Sequence, residues 1–307
     1  MTSMDISLCL CTFRRPALLD TLLADLARQD RLGLTCELIV VDNDPQQSAA
    51  SVLDTWRATF PFELRPLHVP EPNIALARNA AVQAARGEFI VFIDDDEQPS
   101  DAWLAQLIQT QRSSQADVVI GPVEGRLPPD APDWMARGGF FAAPSMPTGT
   151  RLRYTQAYSG NCLLRAAMLA RLKGPFDPAF GVTGGSDTML FRDAELAGAT
   201  IIWSEEARVS EEVPPSRANL RWILRRGYRG GQSFIRSDLA RRRGWDRAGR
   251  TLWLGLRATA QLLIAGALAL ACLPFSKARG IRWLRTACAQ LGKLGALAGH
   301  RYLEYAV

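Results

Sequence analysis

Three adjacent aspartates, Asp94, Asp95 and Asp96, and then Glu97 stand directly behind an apolar run, "FIVFI". Carboxylates at that spacing repel one another, so the group needs either bulk water or a cation as its partner. On an extended strand end, side chains at i and i+2 point the same way, which puts Asp94 and Asp96 on one face and Asp95 on the other. An oxygen pair of that kind suits a hard divalent cation, which fills the rest of its shell with water and substrate phosphate. A solvated acidic turn is the alternative for these four residues. A second carboxylate, Asp187, follows "GGS", where two glycines give the backbone freedom and a helix is expected to begin. It could serve as a general base if a substrate hydroxyl reaches it, or simply cap the helix. Asp42, closing "VVDND", could accept from a nucleobase or ribose, or cap a turn; Arg78, within a helical stretch, could pair with phosphate, or be solvated.

The elements that must position these groups alternate. "ISLCLC", a helical period from Pro16 to Gln29, "ELIVVDND", a helix near Ser48 to Phe60, a short strand at Leu67 to Val69, "NIALARNAAVQAARG" and "EFIVFIDDD" follow in order. Strands alternating with helices of this length predict a doubly wound, parallel sheet, in which ligands sit beyond the carboxyl ends of the strands. "CTFRRP", "VVDND" and "FIDDD" are three such ends, so their polar residues are expected at one crevice. The Gly- and Pro-rich stretch from Gly125 to Thr155 has no periodicity and is expected to be a loop region lining it.

Composition narrows the class. With 48% hydrophobic and 22% charged residues in 307, the chain can bury a sizeable core and is not a disordered one. Six scattered cysteines without a CxxC pair, and only two histidines, argue against a zinc site and for reduced thiols. The N-terminus lacks a basic segment leading into an apolar run, so a secretory signal is not expected. Between Pro214 and Arg250 eleven arginines face two aspartates, a local charge of +9. No recognised nucleic-acid motif accompanies them, and an apolar segment, Ala258 to Leu273, follows at once, which favours an anionic membrane face over nucleic acid. Sixteen residues fall short of the roughly 20 that span a bilayer, although flanking snorkelling residues could extend them, so a peripheral and a single-pass attachment both stay open. The tail from Ile281 reads as an amphipathic interfacial or docking helix. A pair of helices packed in water is the alternative for the whole region.

Taken together, "CTFRRP", "VVDND", "NIALARNAAVQAARGEFIVFIDDDEQPSDAWL", "SGNCLLR", "GGSDTMLFRDAELAGA" and "EEVPPSR" resemble the inverting family 2 glycosyltransferases of GT-A fold, over about residues 5 to 217. The likeness is to succinoglycan-type bacterial exopolysaccharide enzymes. It implies a GT-A α/β domain, Rossmann-like with a mostly parallel sheet and flanking helices, over residues 1–213, and a basic and apolar, membrane-associating helical region over 214–307. It implies that Thr12, Phe13, Arg14 and Asp42 line a uridine pocket and that Arg78 neighbours the nucleotide. Asp94 and Asp96 become the pair that holds ribose, diphosphate and Mn²⁺ or Mg²⁺, with Asp95 beside them, and Asp187 the catalytic base. The reaction implied is sugar transfer from a nucleotide-diphosphate sugar, a UDP-sugar first, to a lipid-linked glycan at the cytoplasmic face of the bacterial inner membrane. Ser186 stands where relatives often carry Glu, and Glu211 about where many carry His; with Arg217 they are candidate acceptor or metal contacts. Ala218 replaces the Gln of the processive QxxRW motif, which points to single-residue transfer. A sugar-nucleotidyltransferase and a non-catalytic nucleotide-sugar binder are the rival readings. The first would want a Gly-rich loop after the first strand, and "CTFRRPALL" has no glycine.

Overall fold

The computed structural model of the chain describes residues 4–172, 174–181 and 184–300. It divides into two compact units: Met1–Glu124, Ala143–Val182 and Ser186–Glu211 in the first, Gly125–Ala142, Thr183–Gly185 and Glu212–Val307 in the second. The elements run β1 (Ile6–Thr12), α1 (Pro16–Ala27), β2 (Cys36–Asp42), α2 (Ala50–Arg57), β3 (Glu63–His68), α3 (Ile74–Ala84), β4 (Phe89–Ile93) and β5 (Glu97–Pro99). They continue with α4 (Trp103–Ser114), β6 (Val118–Ile120), β7 (Val123–Arg126), α5 (Asp133–Gly138), β8 (Asn161–Arg165), α6 (Ala166–Leu169), α7 (Ser186–Leu196), β9 (Ile201–Trp203) and β10 (Val209–Glu212). Three long helices close the chain: α8 (Leu220–Leu239), α9 (Gly244–Cys272) and α10 (Lys277–Leu297).

Seven strands form the main sheet in the order β3-β2-β1-β4-β8-β6-β9, all parallel except β8, which is antiparallel to both β4 and β6. The strands read as continuous apolar runs because both faces are covered. Leu8 and Leu10 of β1 and Leu38 and Val40 of β2 pack with the buried leucines of α1 and with Trp103 of α4. The alternate residues Cys9, Ile39 and Val41 pack with Ala75, Ala77 and Ala81 of α3 and Leu190 of α7. Each fully buried leucine contributes about 1.5–3 kcal/mol of transfer free energy. Because β2 and β4 both pair with β1 in parallel while the chain order reverses there, the carboxyl ends of β1 and β4 flank the switch point where such sheets bind ligands. A second sheet of three short strands has the order β5-β10-β7. All six cysteines are unpaired thiols.

In the second unit, residues 125–142 are not an open loop. They hold α5, and Phe141 stacks on Trp222 of α8 with ring centres 5.4 Å apart. Arg282 of α10 donates to the carbonyls of Gly138 and Arg137. The apolar segment anticipated as sixteen residues belongs to the 29-residue α9, because Trp245, Leu252 and Trp253 interleave with the arginines ahead of it and carry the helix back to Gly244.

Helices α8 and α10 approach backbone to backbone. A Cβ built on Gly231 would lie 1.9 Å from the Ala289 carbonyl oxygen, and one on Gly292 1.9 Å from that of Tyr228. Gly230, one residue earlier, meets nothing within 4 Å. Neighbouring substitutions therefore carry opposite signs. Gly231→Ala is expected to cost about 1–3 kcal/mol through overpacking, and Gly230→Ala to add about 0.5–1 kcal/mol through backbone entropy. Urea unfolding midpoints of the two variants check this.

Candidate functional site

The acidic stretch lies where β4 ends. The strand alternation stops at Ile93, because the Glu97 amide donates to the Asp94 carbonyl (3.2 Å) and closes a tight turn over residues 94–97. The three aspartates are consequently shared between two arginines. Nη1 of Arg15 donates to Asp95 Oδ1 (2.8 Å) and to Asp96 Oδ2 (2.9 Å), while Nη2 of Arg78 donates to Asp94 Oδ1 (2.9 Å). Asp95 is buried and also accepts from the Thr12 hydroxyl at 2.8 Å. The Asp94 side chain is 43% exposed and Asp96 22%, so the outer two acids face the crevice and the middle one does not.

Glu97, 4% exposed, completes the turn from beneath: its Oε2 accepts the Asp94 amide at 3.0 Å. Burial, then the neighbouring Asp94, push its carboxyl well above the usual carboxylate range. Its cross-strand partner in the antiparallel β5–β10 pair is Glu211. Gly160 passes so close that a Cβ there would lie 2.6 Å from Glu97 Oε1 and 3.0 Å from Asp94 Oδ2. A side chain at this position would have to displace both carboxylates.

At the end of β1 the chain makes an unusual bend. Arg14 takes φ 56°, a left-handed conformation costly for a residue with a Cβ. It is held there by its amide to Ser48 Oγ (3.2 Å) and its guanidinium to Asp44 (3.0 Å) and Gln46 (3.0 Å), with the charge 4.9 Å above the Phe13 ring. Asp42 is buried, and its two oxygens accept the amides of Asp44 (2.9 Å) and Ala49 (2.8 Å). It therefore shapes the loop that carries Asp44.

Asp187 lies in the first turn of α7, where the amide dipoles favour a carboxylate, and accepts the Thr188 amide at 2.7 Å. Gly184 and Gly185 before it have φ 75° and 103°, which glycine alone adopts freely. The preceding segment is fastened to α3. Asn79 Nδ2 donates to the Phe176 carbonyl (2.6 Å) and its Oδ1 accepts the Phe176 amide (3.0 Å). Asn73, the N-cap of α3, donates to the Pro178 carbonyl at 3.1 Å. Burial opposes the charge of Arg78, but Asp94, then Cys11 and Asp187, hold that guanidinium protonated beyond its ordinary value. Asp187 and the acidic turn thus act on one arginine. The Cys11 thiol, pushed up to about 12 chiefly by burial, is no nucleophile here.

Residues 7–170 match the profile described as Glycosyl transferase family 2. The chain is 35% identical over 308 residues to the succinoglycan biosynthesis protein ExoM of Rhizobium meliloti (strain 1021), covering 98% of this chain and 96% of that protein. The chain belongs to glycosyltransferase family 2. Its fold is GT-A. The mannosyltransferase PcManGT of Pyrobaculum calidifontis, solved with GDP-Man and Mn²⁺, superposes with TM-score 0.64 at 18% identity, covering 97% of this chain and 88% of that one. S. aureus TarS 1-349, solved with UDP-GlcNAc, superposes at 0.55 and 16%, covering 97% and 93%. These two likenesses are of fold.

Within this family 2 fold, Thr12, Phe13, Arg14, Asp42, Arg78, Asp94, Asp95, Asp96 and Asp187 all belong to the first unit, on or just beyond β1, β2 and β4 or at the start of α7, with Arg78 on α3. Ser186 is buried, 3% exposed, and Glu211 lies in β10 opposite Glu97. Arg217 lies in the second unit, in the turn ahead of α8. The sequence places Arg15 at the crevice through "CTFRRP" but shows no partner for it, and it does not reveal Asp44, Glu97 as the floor of the turn, or the clamps Asn73 and Asn79. Arg15 had a signal: Pro16 begins a helix, so the residue before it sits at the mouth of the crevice. The residues suit a divalent cation through hard carboxylate oxygens on two partly exposed acids. No group of three or more metal-ligating side chains gathers among the described residues. The fit is to a cation that shares its shell with a phosphorylated ligand.

Burial of Asp95, reinforced by Asp96, outweighs Arg15 and Thr12 and lifts its carboxyl to about 6, from an ordinary 3.8. A raised carboxyl stabilises the fold most below pH 3.8, and that contribution fades as pH climbs through about 6. Its size is on the order of 2–3 kcal/mol. Relative to wild type, Asp95→Asn is expected to gain stability steadily between pH 4 and 7, which urea midpoints measured at each pH unit would register; a pH-independent difference contradicts it.

Proposed function

We propose that this family 2 member is an inverting transferase that moves a sugar from a nucleotide-diphosphate sugar, a UDP-sugar first, onto a lipid-linked glycan in cell-surface polysaccharide synthesis. The observation that carries the reading is that α3 serves both parts of the site: Arg78 pairs with Asp94 of the acidic turn at 2.9 Å, while Asn79 and Asn73 fasten the segment ahead of Asp187. Inverting transfer needs a base for the acceptor hydroxyl and positive charge beside the departing diphosphate, a few ångströms apart. Asp187 takes the acceptor proton as the hydroxyl oxygen attacks C1 of the sugar, and the C1–oxygen bond to the diphosphate breaks with its electron pair. Arg78 and Arg15, already fixed by the aspartates, lie beside the diphosphate. Phe13 offers a ring for the nucleobase, and Asp42 holds the loop next to it.

Asp94 and Asp96 are the residues that would hold Mn²⁺ or Mg²⁺. Bound there, the cation would neutralise charge on the leaving nucleoside diphosphate. Manganese in the Pyrobaculum mannosyltransferase complex and the succinoglycan role of the Rhizobium relative support the metal and the glycan class. Glu211 is the first-unit candidate for an acceptor contact. The helical second unit, with α9 long and apolar enough to cross a bilayer by length and composition, supports work at a membrane, for which the cytoplasmic face of the bacterial inner membrane is the proposed site.

Purified protein incubated with a panel of nucleotide sugars, Mn²⁺ or Mg²⁺ and bacterial lipid extract is expected to release nucleoside diphosphate. Asp187→Asn is expected to lower kcat by about 10²–10⁴-fold while leaving donor binding intact. Full activity in that variant, or no turnover of any donor, would sink the reading.

A further inference from the structure

Helix α9 carries many of the exposed large hydrophobic side chains among the described residues. Its buried residues, Leu254, Ala258, Ala265 and Ala269, form one seam of small side chains. Trp245, Leu252, Leu256, Leu263 and Leu270 recur at intervals of seven, four, seven and seven, so at 100° per residue they fall on a single line on the other side. They are 66–90% exposed. A soluble surface rarely leaves such a stripe uncovered.

At 29 residues α9 is long and apolar enough to cross a bilayer, whereas its neighbours α8 and α10, 20 and 21 residues long, are too polar to do so. It packs along α10, from which only residues 273–276 separate it. Helix α10 carries Lys277, Arg279, Arg282, Arg285 and Lys293, and Arg282 is tied to the α5 carbonyls of Gly138 and Arg137. It also meets the arginine-rich α8 in backbone contact at Gly231. Sinking α9 through the hydrocarbon would drag those cations with it or break the glycine seam.

The flank of the stripe is built for an interface. Trp253 lies between two guanidinium groups, Arg250 at 4.6 Å and Arg257 at 5.1 Å from the ring centre. Indoles prefer the headgroup level; Arg250 is held by the Asp238 carboxylate at 3.0 and 2.7 Å, and Arg257 is the guanidinium beside the ring that would meet lipid phosphate. Beside the stripe, an apolar groove of about 700 Å³ between α9 and α10 is lined by Leu252, Leu256, Leu263, Leu294 and Leu297, a size and lining for acyl chain segments.

We infer that α9 is an in-plane anchor: it lies on an anionic bilayer surface with its leucine stripe at the acyl boundary and does not cross. The inference rests on the membrane-face reading above, and its test reads lipid contact separately from donor turnover. Arg279→Cys in the full chain is treated with a membrane-impermeant maleimide, with wild type in parallel to subtract its own cysteines. Labelling is expected in inverted inner-membrane vesicles and not in spheroplasts; labelling in spheroplasts means that α9 spans and overturns the inference. Purified protein is expected to float with vesicles containing phosphatidylglycerol and poorly with phosphatidylcholine alone. Leu256→Asp with Leu263→Asp is expected to weaken flotation by about tenfold or more, and Arg257→Glu to remove the preference for the anionic lipid. Both variants are expected to keep wild-type donor turnover in detergent, which shows that they fold. Failure of the wild type to float, or a soluble dimer that shields the stripe, overturns the anchor even if donor is turned over. Flotation without any donor turnover leaves the anchor standing and removes the transferase reading instead.

Discussion

Four acids in a row at the end of β4 are tolerable only because each has a fixed answer to its charge. Asp95 and Asp96 share Arg15, Asp94 takes Arg78, and Glu97 is buried and supports the turn through the Asp94 amide. This balance organises much of the first unit. It requires β1 to end beside β4 so that Arg15 and Thr12 reach Asp95, and α3 to present Arg78 at the same edge. It also brings the Glu97 and Asp94 carboxylates close to Gly160, where a side chain would push them aside. Removing Arg15 would take an ion pair from both Asp95 and Asp96, and removing Arg78 one from Asp94, and the loss of one partner of such a pair costs more than the pair's net worth.

The same pairs make the site electrically prepared for an anion. The aspartates hold the arginines oriented and partly stripped of water, which under the proposed reaction is how a diphosphate would meet them. A cation entering with that ligand would compete for the same carboxylate oxygens, and the arginines would then be released toward the phosphates.

Much of this was legible before any coordinates. The alternation of apolar runs and helical periods fixes a doubly wound sheet, and "FIDDD" and "CTFRRP" announce their strand ends. The antiparallel β8 was not visible, since "NCLLR" is apolar on both faces and looks like any buried strand. The i, i+2 argument for Asp94 and Asp96 assumed an extended chain, whereas the turn at Glu97 redirects all three acids. The partner of Arg15 is hidden in the sequence because it lies eighty positions away, and no local pattern carries that distance. Residues 125–142 looked like loop because their order comes from packing on Trp222 and Arg282, far along the chain, and not from their own periodicity.

Helix α3 has an office that its short, alanine-rich sequence does not advertise. Arg78 projects from it to the acidic turn, and the adjacent Asn79, with Asn73 at its start, grips the segment that leads to Asp187. One rod of eleven residues therefore sets the acidic turn and the segment ahead of Asp187 relative to each other, the two halves of the proposed reaction centre. A shift of this rod moves both ends at once, so kinetic defects arising in α3 have no reason to separate into those of the sugar donor and those of the acceptor.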